Sequence, residues 1–269
     1  MNGETAAHEN PSEPAVVRRD KHGVARLTLN RPRQYNALSL GMMQAIQAEL
    51  NALAKDTSVR AVILAGAGKG FCAGHDLKEL RADTSRAFYQ EVFDTCCRMM
   101  TTITKLPQPV IAQVHGIATA AGCQLVATCD LAVAAESTRF ATPGVNIGLF
   151  CSTPMVALSR NVPRKQAMEM LLTGEMIGAP TAAQWGLINH AAPDAELEAA
   201  AEQYAQLVIQ KSPHVLKIGK RAFYEQCEMG LDEAYRHTAK IMTENMLHRD
   251  AAEGIDAFLG KREPQWTEE

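Results

Sequence analysis

One stretch near the middle of the chain constrains the fold more than any other. Residues 109–130 read Pro-Val-Ile-Ala-Gln-Val-His-Gly-Ile-Ala-Thr-Ala-Ala-Gly-Cys-Gln-Leu-Val-Ala-Thr-Cys-Asp, which predicts a buried strand, a turn of very small residues and a helix. The apolar start of the stretch suits a strand that is covered on both faces. The turn from Gly116 to Gly122 carries so little side-chain volume that a ligand can lie against its backbone.

A helix that starts near Ala120 points unpaired N–H groups and the positive end of its dipole toward such a ligand. This arrangement can hold a carbonyl oxygen that becomes negative during a reaction. A turn that is packed tightly for structural reasons alone accounts for the same residues equally well. This stretch by itself therefore leaves both interpretations open.

Length and charge restrict the class of protein. A chain of 269 residues can bury one large core with an appendage, and its 46% hydrophobic and 21% charged residues are typical of a soluble globular protein. The net charge of -3 and the lack of a long Lys and Arg run argue against a nucleic-acid surface. No apolar stretch reaches the ~20 residues of a membrane span. We therefore expect neither a nucleic-acid partner nor a membrane partner.

The cysteines indicate a reducing environment. The chain has seven, an odd number, and none forms a Cys-x-x-Cys pair. Most lie in apolar surroundings, which favours small buried thiols over disulfides or a zinc site. On this ground we expect a cytoplasmic protein without a metal site.

The order of the predicted elements divides the chain. Strands and helices alternate over residues 15–195, and residues 196–269 are helical almost throughout, which predicts an α/β core followed by a helical region. The acidic and proline-containing segment 1–14 predicts a disordered tail. Ser39 and Asp76 are predicted helix N-caps, and a short strand is predicted over Leu187–Asn189.

The glycine-rich loop over residues 66–77 does not match the known phosphate-binding motifs. It lacks the Gly-Lys-Ser/Thr ending of a P-loop and the glycine spacing of a Rossmann turn. We therefore do not expect a nucleotide phosphate there. The backbone N–H groups around Gly74 and His75 remain candidates for a second anion-holding segment.

Five segments, in this order and spacing, resemble the crotonase, or enoyl-CoA hydratase/isomerase, superfamily. They are Asn30-Arg-Pro with Asn36-Ala-Leu38, Phe71-Cys-Ala-Gly-His-Asp-Leu77, Pro109-Val-Ile-Ala with His115-Gly-Ile-Ala and Gly122-Cys, Cys129-Asp-Leu131, and Gly254-Ile with Ala257-Phe-Leu and Lys261-Arg262. The resemblance covers roughly residues 16–266. It implies an α/β crotonase-like spiral of ββα units with a helical C-terminal trimerisation region.

The resemblance also implies a function and a set of site residues. Homotrimers or hexamers would bind acyl-CoA, with coenzyme A entering only as part of the substrate, and would act as a lyase or isomerase. The N–H groups of His75 and Ala121 would hold the thioester oxygen while an enolate forms. Contacts to coenzyme A would come from Asn36, Ala37, Asp76, Leu77, Lys78, Phe258 and Lys261.

The sequence departs from the family where proton transfer is expected. A hydratase uses two carboxylates as general base and general acid around one water. The positions that match them hold Gln124 and Gly144, and neither residue can transfer the proton. The aspartate of the dienoyl-CoA isomerases corresponds to Ser152. Hydration by the usual route is therefore not expected.

Several functions remain compatible with these residues. The first is an enzyme that stabilises a thioester enolate in a reaction other than standard hydration. The Ala-Gly-His-Asp segment resembles methylmalonyl-CoA decarboxylases, which favours a decarboxylase-like lyase that uses His75. A non-catalytic acyl-CoA-binding protein and a hydratase with a rearranged site are further alternatives. In each case Thr119, Gln124, Thr142 and Asn146 are candidates to hydrogen-bond a polar acyl group.

Overall fold

The structure, a computed structural model, describes residues 13–267. The predicted disordered tail lies outside the described residues except for its last two positions. The strands are β1 (Val16–Lys21), β2 (Val24–Leu29), β3 (Ala61–Gly66), β4 (Val110–Val114), β5 (Ile117–Thr119), β6 (Leu131–Ala135), β7 (Arg139–Ala141), β8 (Ile177–Gly178) and β9 (His190–Ala192). The helices are α1 (Leu40–Leu53), α2 (Leu77–Ala82), α3 (Arg86–Lys105), α4 (Ala121–Thr128), α5 (Pro154–Asn161), α6 (Arg164–Thr173), α7 (Ala179–Gln184), α8 (Leu197–Ile209), α9 (Pro213–Gln226), α10 (Leu231–Met246) and α11 (Arg249–Leu259).

Two sheets organise these elements. The larger sheet has the strand order β1-β2-β3-β4-β6-β9, in which β1 and β2 pair antiparallel and every other pair is parallel. The smaller sheet has the order β5-β7-β8, with β5 parallel to β7. Successive strands therefore alternate between the sheets before a helix follows, as in β4-β5-α4 and β6-β7-α5. This repetition agrees with the predicted ββα units.

Strand β3 is apolar because both of its faces are covered. Val62 and Leu64 belong to the main core, while Ala61 and Ile63 pack with Ala205 of α8 on the opposite face. A parallel strand that is covered on both faces has no position for a polar side chain. Because α8 covers this second face, the helical region begins with an element of the core. The division at residue 195 stays a prediction.

A buried ion pair attaches the C-terminal helices to the sheet. Asp130, just before β6, accepts hydrogen bonds from Lys220 Nζ at 2.6 Å, from the Tyr224 hydroxyl at 2.9 Å and from the Val110 N–H at 2.7 Å. Lys220 also donates to the carbonyls of Ile103 and Gln108. Burial lowers the pKa of Lys220, and Asp130 opposes this effect. Because the surrounding groups satisfy both charges, α9 is held at one place on the core.

The structure confirms both predicted helix caps and corrects one strand. The Ser39 hydroxyl accepts from Met42 N–H at the start of α1, and the Asp76 carboxylate accepts from Lys78 and Glu79 N–H at the start of α2. The strand predicted over Leu187–Asn189 is wrong, because the pairing strand is β9, three residues later. No helix within residues 13–267 is long and apolar enough to cross a membrane.

Candidate active site

The loop that carries His75 is pinned on two sides by backbone hydrogen bonds. Ala73 N–H donates to the Tyr35 carbonyl at 3.0 Å, and Leu38 N–H donates to the Gly74 carbonyl at 2.7 Å. On the other side, Cys72 exchanges hydrogen bonds with the β5 backbone. Among the described residues, these bonds leave the N–H of His75 without a backbone acceptor. The loop is therefore rigid at the position where the sequence predicts a donor.

Gly74 brings this loop into contact with the start of α4. Its φ of +94° is one that L side chains rarely adopt. A Cβ added there would lie 2.9 Å from the Thr119 carbonyl oxygen and 3.2 Å from the Ala121 nitrogen. The structure thus brings together the two segments that carry the predicted donors, His75 and Ala121, although they are far apart in the sequence.

At the start of α4 the backbone of Ala120 is strained, whereas that of Ala121 is not. Ala120 has φ +49° and ψ -118°, a conformation that is unfavourable for any residue except glycine. Its N–H donates to the Ala141 carbonyl at 2.9 Å, which holds the turn against β7. Ala121 is the first helical residue, and in the first turn of a helix the N–H groups lack intrahelical acceptors. A side chain at residue 121 therefore leaves its donor intact.

The His75 imidazole has one paired and one unpaired nitrogen. Nδ1 lies 3.4 Å from the Leu38 carbonyl oxygen, and the ring meets Phe93 edge-on with centroids 5.4 Å apart. Nε2 is buried and has no hydrogen-bond partner among the described residues. Burial lowers the pKa of His75 below its ordinary value of 6.5, against a smaller opposing effect of the Leu38 carbonyl. Because a carbonyl only accepts, we assign the hydrogen of the neutral ring to Nδ1, which leaves a lone pair on Nε2.

The two residues predicted to match the glutamates of a hydratase, Gln124 and Gly144, differ in their surroundings. Gln124 is buried on α4, and its Oε1 has no partner among the described residues. At Gly144, an added Cβ would lie 2.8 Å from the Leu149 carbonyl oxygen and 2.9 Å from Cys151 Sγ. The Cys151 thiol and the Leu149 backbone thus occupy the place of a side chain at residue 144. Burial raises the pKa of Cys151, so its thiol is protonated.

Two threonine hydroxyls near the site differ in their hydrogen bonding. The Thr119 hydroxyl donates to the Ala73 carbonyl at 3.0 Å, so it supports the His75 loop. The Thr142 hydroxyl is buried and has no partner among the described residues. Asn146 is exposed. The sequence offers no signal for the contacts that Phe93 and Leu149 make here, because neither residue belongs to a recognisable motif.

The predicted coenzyme A contacts fall into two separate groups. In the first, the Asn36 side chain is fully buried and bonded to backbone, Asp76 caps α2, and Leu77 and Lys78 are exposed in the first turn of α2. Ala37 lies beside Asn36 and is half-buried.

The second group lies at the end of α11. Phe258 is 82% exposed, and Lys261 is exposed with a positive φ of 51°. Helix α11 packs against α10, so a single chain does not show whether these two residues reach the ligand. Their role stays a prediction.

The strain at Ala120 predicts opposite behaviour of two neighbouring alanines. Ala120→Gly relieves a positive φ, whereas Ala121→Gly only loosens the first turn of a helix. We expect the free energy of unfolding of Ala120→Gly to exceed that of Ala121→Gly by about 1–2 kcal/mol. Urea denaturation of both variants measures this difference. Equal stabilities, or a less stable Ala120→Gly, would contradict the strain.

Burial of His75 predicts a loss of stability in mild acid. The pKa of this residue is lowered in the folded state, so the unfolded chain binds more protons once the pH falls below 6.5. His75 thus leaves stability unchanged well above pH 6.5 and reduces it as the pH falls toward the folded pKa. Between pH 7.5 and 5, unfolding curves should show a steeper loss for the natural protein than for His75→Phe. Parallel losses would show that His75 is not the titrating group.

Comparison with known proteins places this geometry in a family. The sequence profile of the family described as enoyl-CoA hydratase/isomerase matches residues 19–269. The chain is 48% identical to the mitochondrial enoyl-CoA hydratase domain-containing protein 3 of Xenopus laevis over 94% of this chain and 86% of that protein. It is 46% identical to the human protein of the same name over 98% of this chain and 87% of that protein.

These names correct one expectation. The relatives from Xenopus laevis and from human are named mitochondrial, which contradicts the cytoplasmic location expected from the cysteines. The reason is that free buried thiols indicate a reducing environment and do not identify the compartment.

Solved structures give the same result as the sequences. A crystal structure of an enoyl-CoA hydratase from Mycobacterium smegmatis superposes with a TM-score of 0.92 at 51% identity, over 94% of this chain and 99% of that chain. The human enoyl-CoA hydratase domain-containing protein 3 superposes with a TM-score of 0.91 at 46% identity, over 94% of this chain and all of that chain. The predicted crotonase fold is thus confirmed, and the chain belongs to the enoyl-CoA hydratase/isomerase family.

Proposed function

We propose that this protein binds an acyl-CoA thioester and stabilises the enolate of its acyl group, as a lyase or isomerase that does not carry out standard hydration. The observation that carries the proposal is the contact between the Gly74–His75 loop and the start of α4. This contact supports a site in which the N–H groups of His75 and Ala121 both donate to one thioester oxygen. Two such donors stabilise the charge that develops on that oxygen in the transition state.

The same region supports a reaction other than hydration. A water that adds to a double bond needs a base to take its proton and an acid to protonate the α carbon. Gln124 is a neutral amide, and the space beside Gly144 is filled by Leu149 and Cys151. Neither position supplies an acid or a base. Enolate formation by loss of a carboxylate, or by proton transfer to another group, does not require that pair.

A panel of acyl-CoA thioesters tests this function. Titration calorimetry gives binding, and mass spectrometry of the same mixtures gives turnover for crotonyl, butyryl, malonyl and methylmalonyl thioesters. We expect binding of CoA thioesters, conversion of at least one, and no hydration of crotonyl-CoA. Binding without any conversion would identify a non-catalytic acyl-CoA-binding protein, and rapid hydration of crotonyl-CoA would overturn the proposal.

Removal of one donor ties the activity to the geometry. Ala121→Pro deletes the N–H at the first helical position, where proline is compatible with a helix. For the substrate that turns over, we expect kcat to fall by about 10²–10³-fold. Ala121→Gly keeps the N–H and should retain most of the activity, with circular dichroism as the check on folding. Equal losses in the two variants would argue against a role for this donor.

We further propose that the C-terminal helices mediate self-association into a trimer or hexamer. Helix α10 has no buried residue in the single chain, and Tyr235, Leu247 and Phe258 are exposed by 70%, 78% and 82%. Large apolar side chains at this density are typical of an interface.

Light scattering coupled to gel filtration measures the assembly. The expected mass is three or six times 29.2 kDa. Leu247→Arg should lower the mass, whereas Leu207→Arg, on the exposed side of α8, should not. A natural protein that runs at the mass of one chain would contradict the proposal.

A further inference from the structure

Three polar side chains around the start of α4 have buried atoms without a hydrogen-bond partner among the described residues. These atoms are Oε1 of Gln124, Oγ1 of Thr142 and Nε2 of His75. Gln124 is 4% exposed and Thr142 is 1% exposed. Folded proteins satisfy the large majority of their buried polar side-chain atoms, so three unpaired atoms in one region need an explanation.

The backbone around Ala120 joins the three residues. Gln124 N–H donates to the Ala120 carbonyl at 3.0 Å, one turn into α4. Ala120 N–H donates to the carbonyl of Ala141, the residue before Thr142. Gly74, the residue before His75, contacts the same turn. These bonds and contacts bring the three residues together at the start of α4.

Other buried hydroxyl groups nearby behave differently. The hydroxyls of Thr119, Thr128 and Thr138 each donate to a backbone carbonyl, at 3.0, 2.7 and 3.2 Å. These side chains serve the fold. Gln124, Thr142 and His75 leave hydrogen-bonding capacity unused within the protein, which is typical of groups that meet a ligand.

The chemistry of the three groups restricts that ligand. The Gln124 side-chain amide accepts hydrogen bonds through its oxygen and donates them through its nitrogen, the neutral His75 nitrogen accepts, and the Thr142 hydroxyl both donates and accepts. An alkyl chain would leave all three groups unpaired. A hydroxyl or an amide supplies a donor and an acceptor together.

We propose that Gln124, Thr142 and His75 form a neutral polar subsite that selects acyl-CoA thioesters whose acyl group carries a hydroxyl or amide, in preference to alkyl ones. Gln124 then acts as a specificity-determining residue at a position where hydratases carry an acid. This inference rests on the proposed binding of acyl-CoA. It adds to that function the chemical class of the acyl group.

Titration calorimetry with two CoA thioesters of equal chain length tests the preference. We expect 3-hydroxybutyryl-CoA to bind about tenfold more tightly than butyryl-CoA, because it pairs polar groups that butyryl-CoA leaves buried and unpaired. Equal affinities, or tighter binding of butyryl-CoA, would overturn this subsite alone. Failure of both to bind would overturn the proposed function together with it.

Variants of similar shape locate the preference. Gln124→Leu and Thr142→Val should each reduce the ratio of affinities for 3-hydroxybutyryl-CoA and butyryl-CoA toward one. Thr128→Val, on the same helix, should keep the ratio, since the Thr128 hydroxyl already bonds to the Gln124 carbonyl. A ratio that Gln124→Leu leaves unchanged would overturn the assignment to Gln124.

Stability of the free protein gives a second measurement that does not depend on binding. Removal of an unpaired buried polar group is neutral or stabilising, whereas removal of a paired one is destabilising. Gln124→Leu and Thr142→Val should therefore unfold at the same or a higher urea concentration than the natural protein, and Thr128→Val at a lower one. Destabilisation of both Gln124→Leu and Thr142→Val to the level of Thr128→Val would show that these groups serve the fold.

Discussion

The side-chain amide of Asn36 holds together the segments on which the site depends. Its Oδ1 accepts from Arg31 N–H at 2.9 Å, and its Nδ2 lies 2.9 to 3.1 Å from the carbonyl oxygens of Ala67, Gly70 and Phe71. One group thereby ties the chain that leaves β2 to the loop that follows β3. Only an amide both accepts and donates in this way, and asparagine also tolerates the local φ of +53°. This connection helps to position the loop that carries His75.

Backbone strain and an unpaired buried atom occur together at the start of α4. In the Asp130 ion pair, by contrast, both charged groups have hydrogen-bond partners. The positive φ of Ala120 and the unpaired atom of Gln124 both lie at the start of α4. Strain and unused hydrogen-bonding capacity persist only where the surrounding structure holds them in place. Their coincidence at the start of α4 supports a binding role for this end of the helix.

The local sequence predicts the caps and the small-residue turn well, because these depend on residues within one helical turn of each other. It fails at the strand predicted over Leu187–Asn189. Leu187 and Ile188 are apolar because they pack in the main core. Asn189 accepts a hydrogen bond from Ala132 N–H through its side-chain oxygen and donates its own N–H to the Ala132 carbonyl. The ladder with β6 starts only at His190. An apolar run signals burial, and burial alone does not specify strand pairing.

The small residues of the turn and the order of the motifs are properties of the chain itself, and they suffice to predict the family fold. Other properties arise only when distant segments meet. Gly74 contacts the amide of Ala121, the Cys151 thiol fills the space beside Gly144, and Thr142 is buried without a partner. Each of these depends on which atoms surround a group in space. Spacing along the chain carries no information about that, because packing between segments is set by the whole fold.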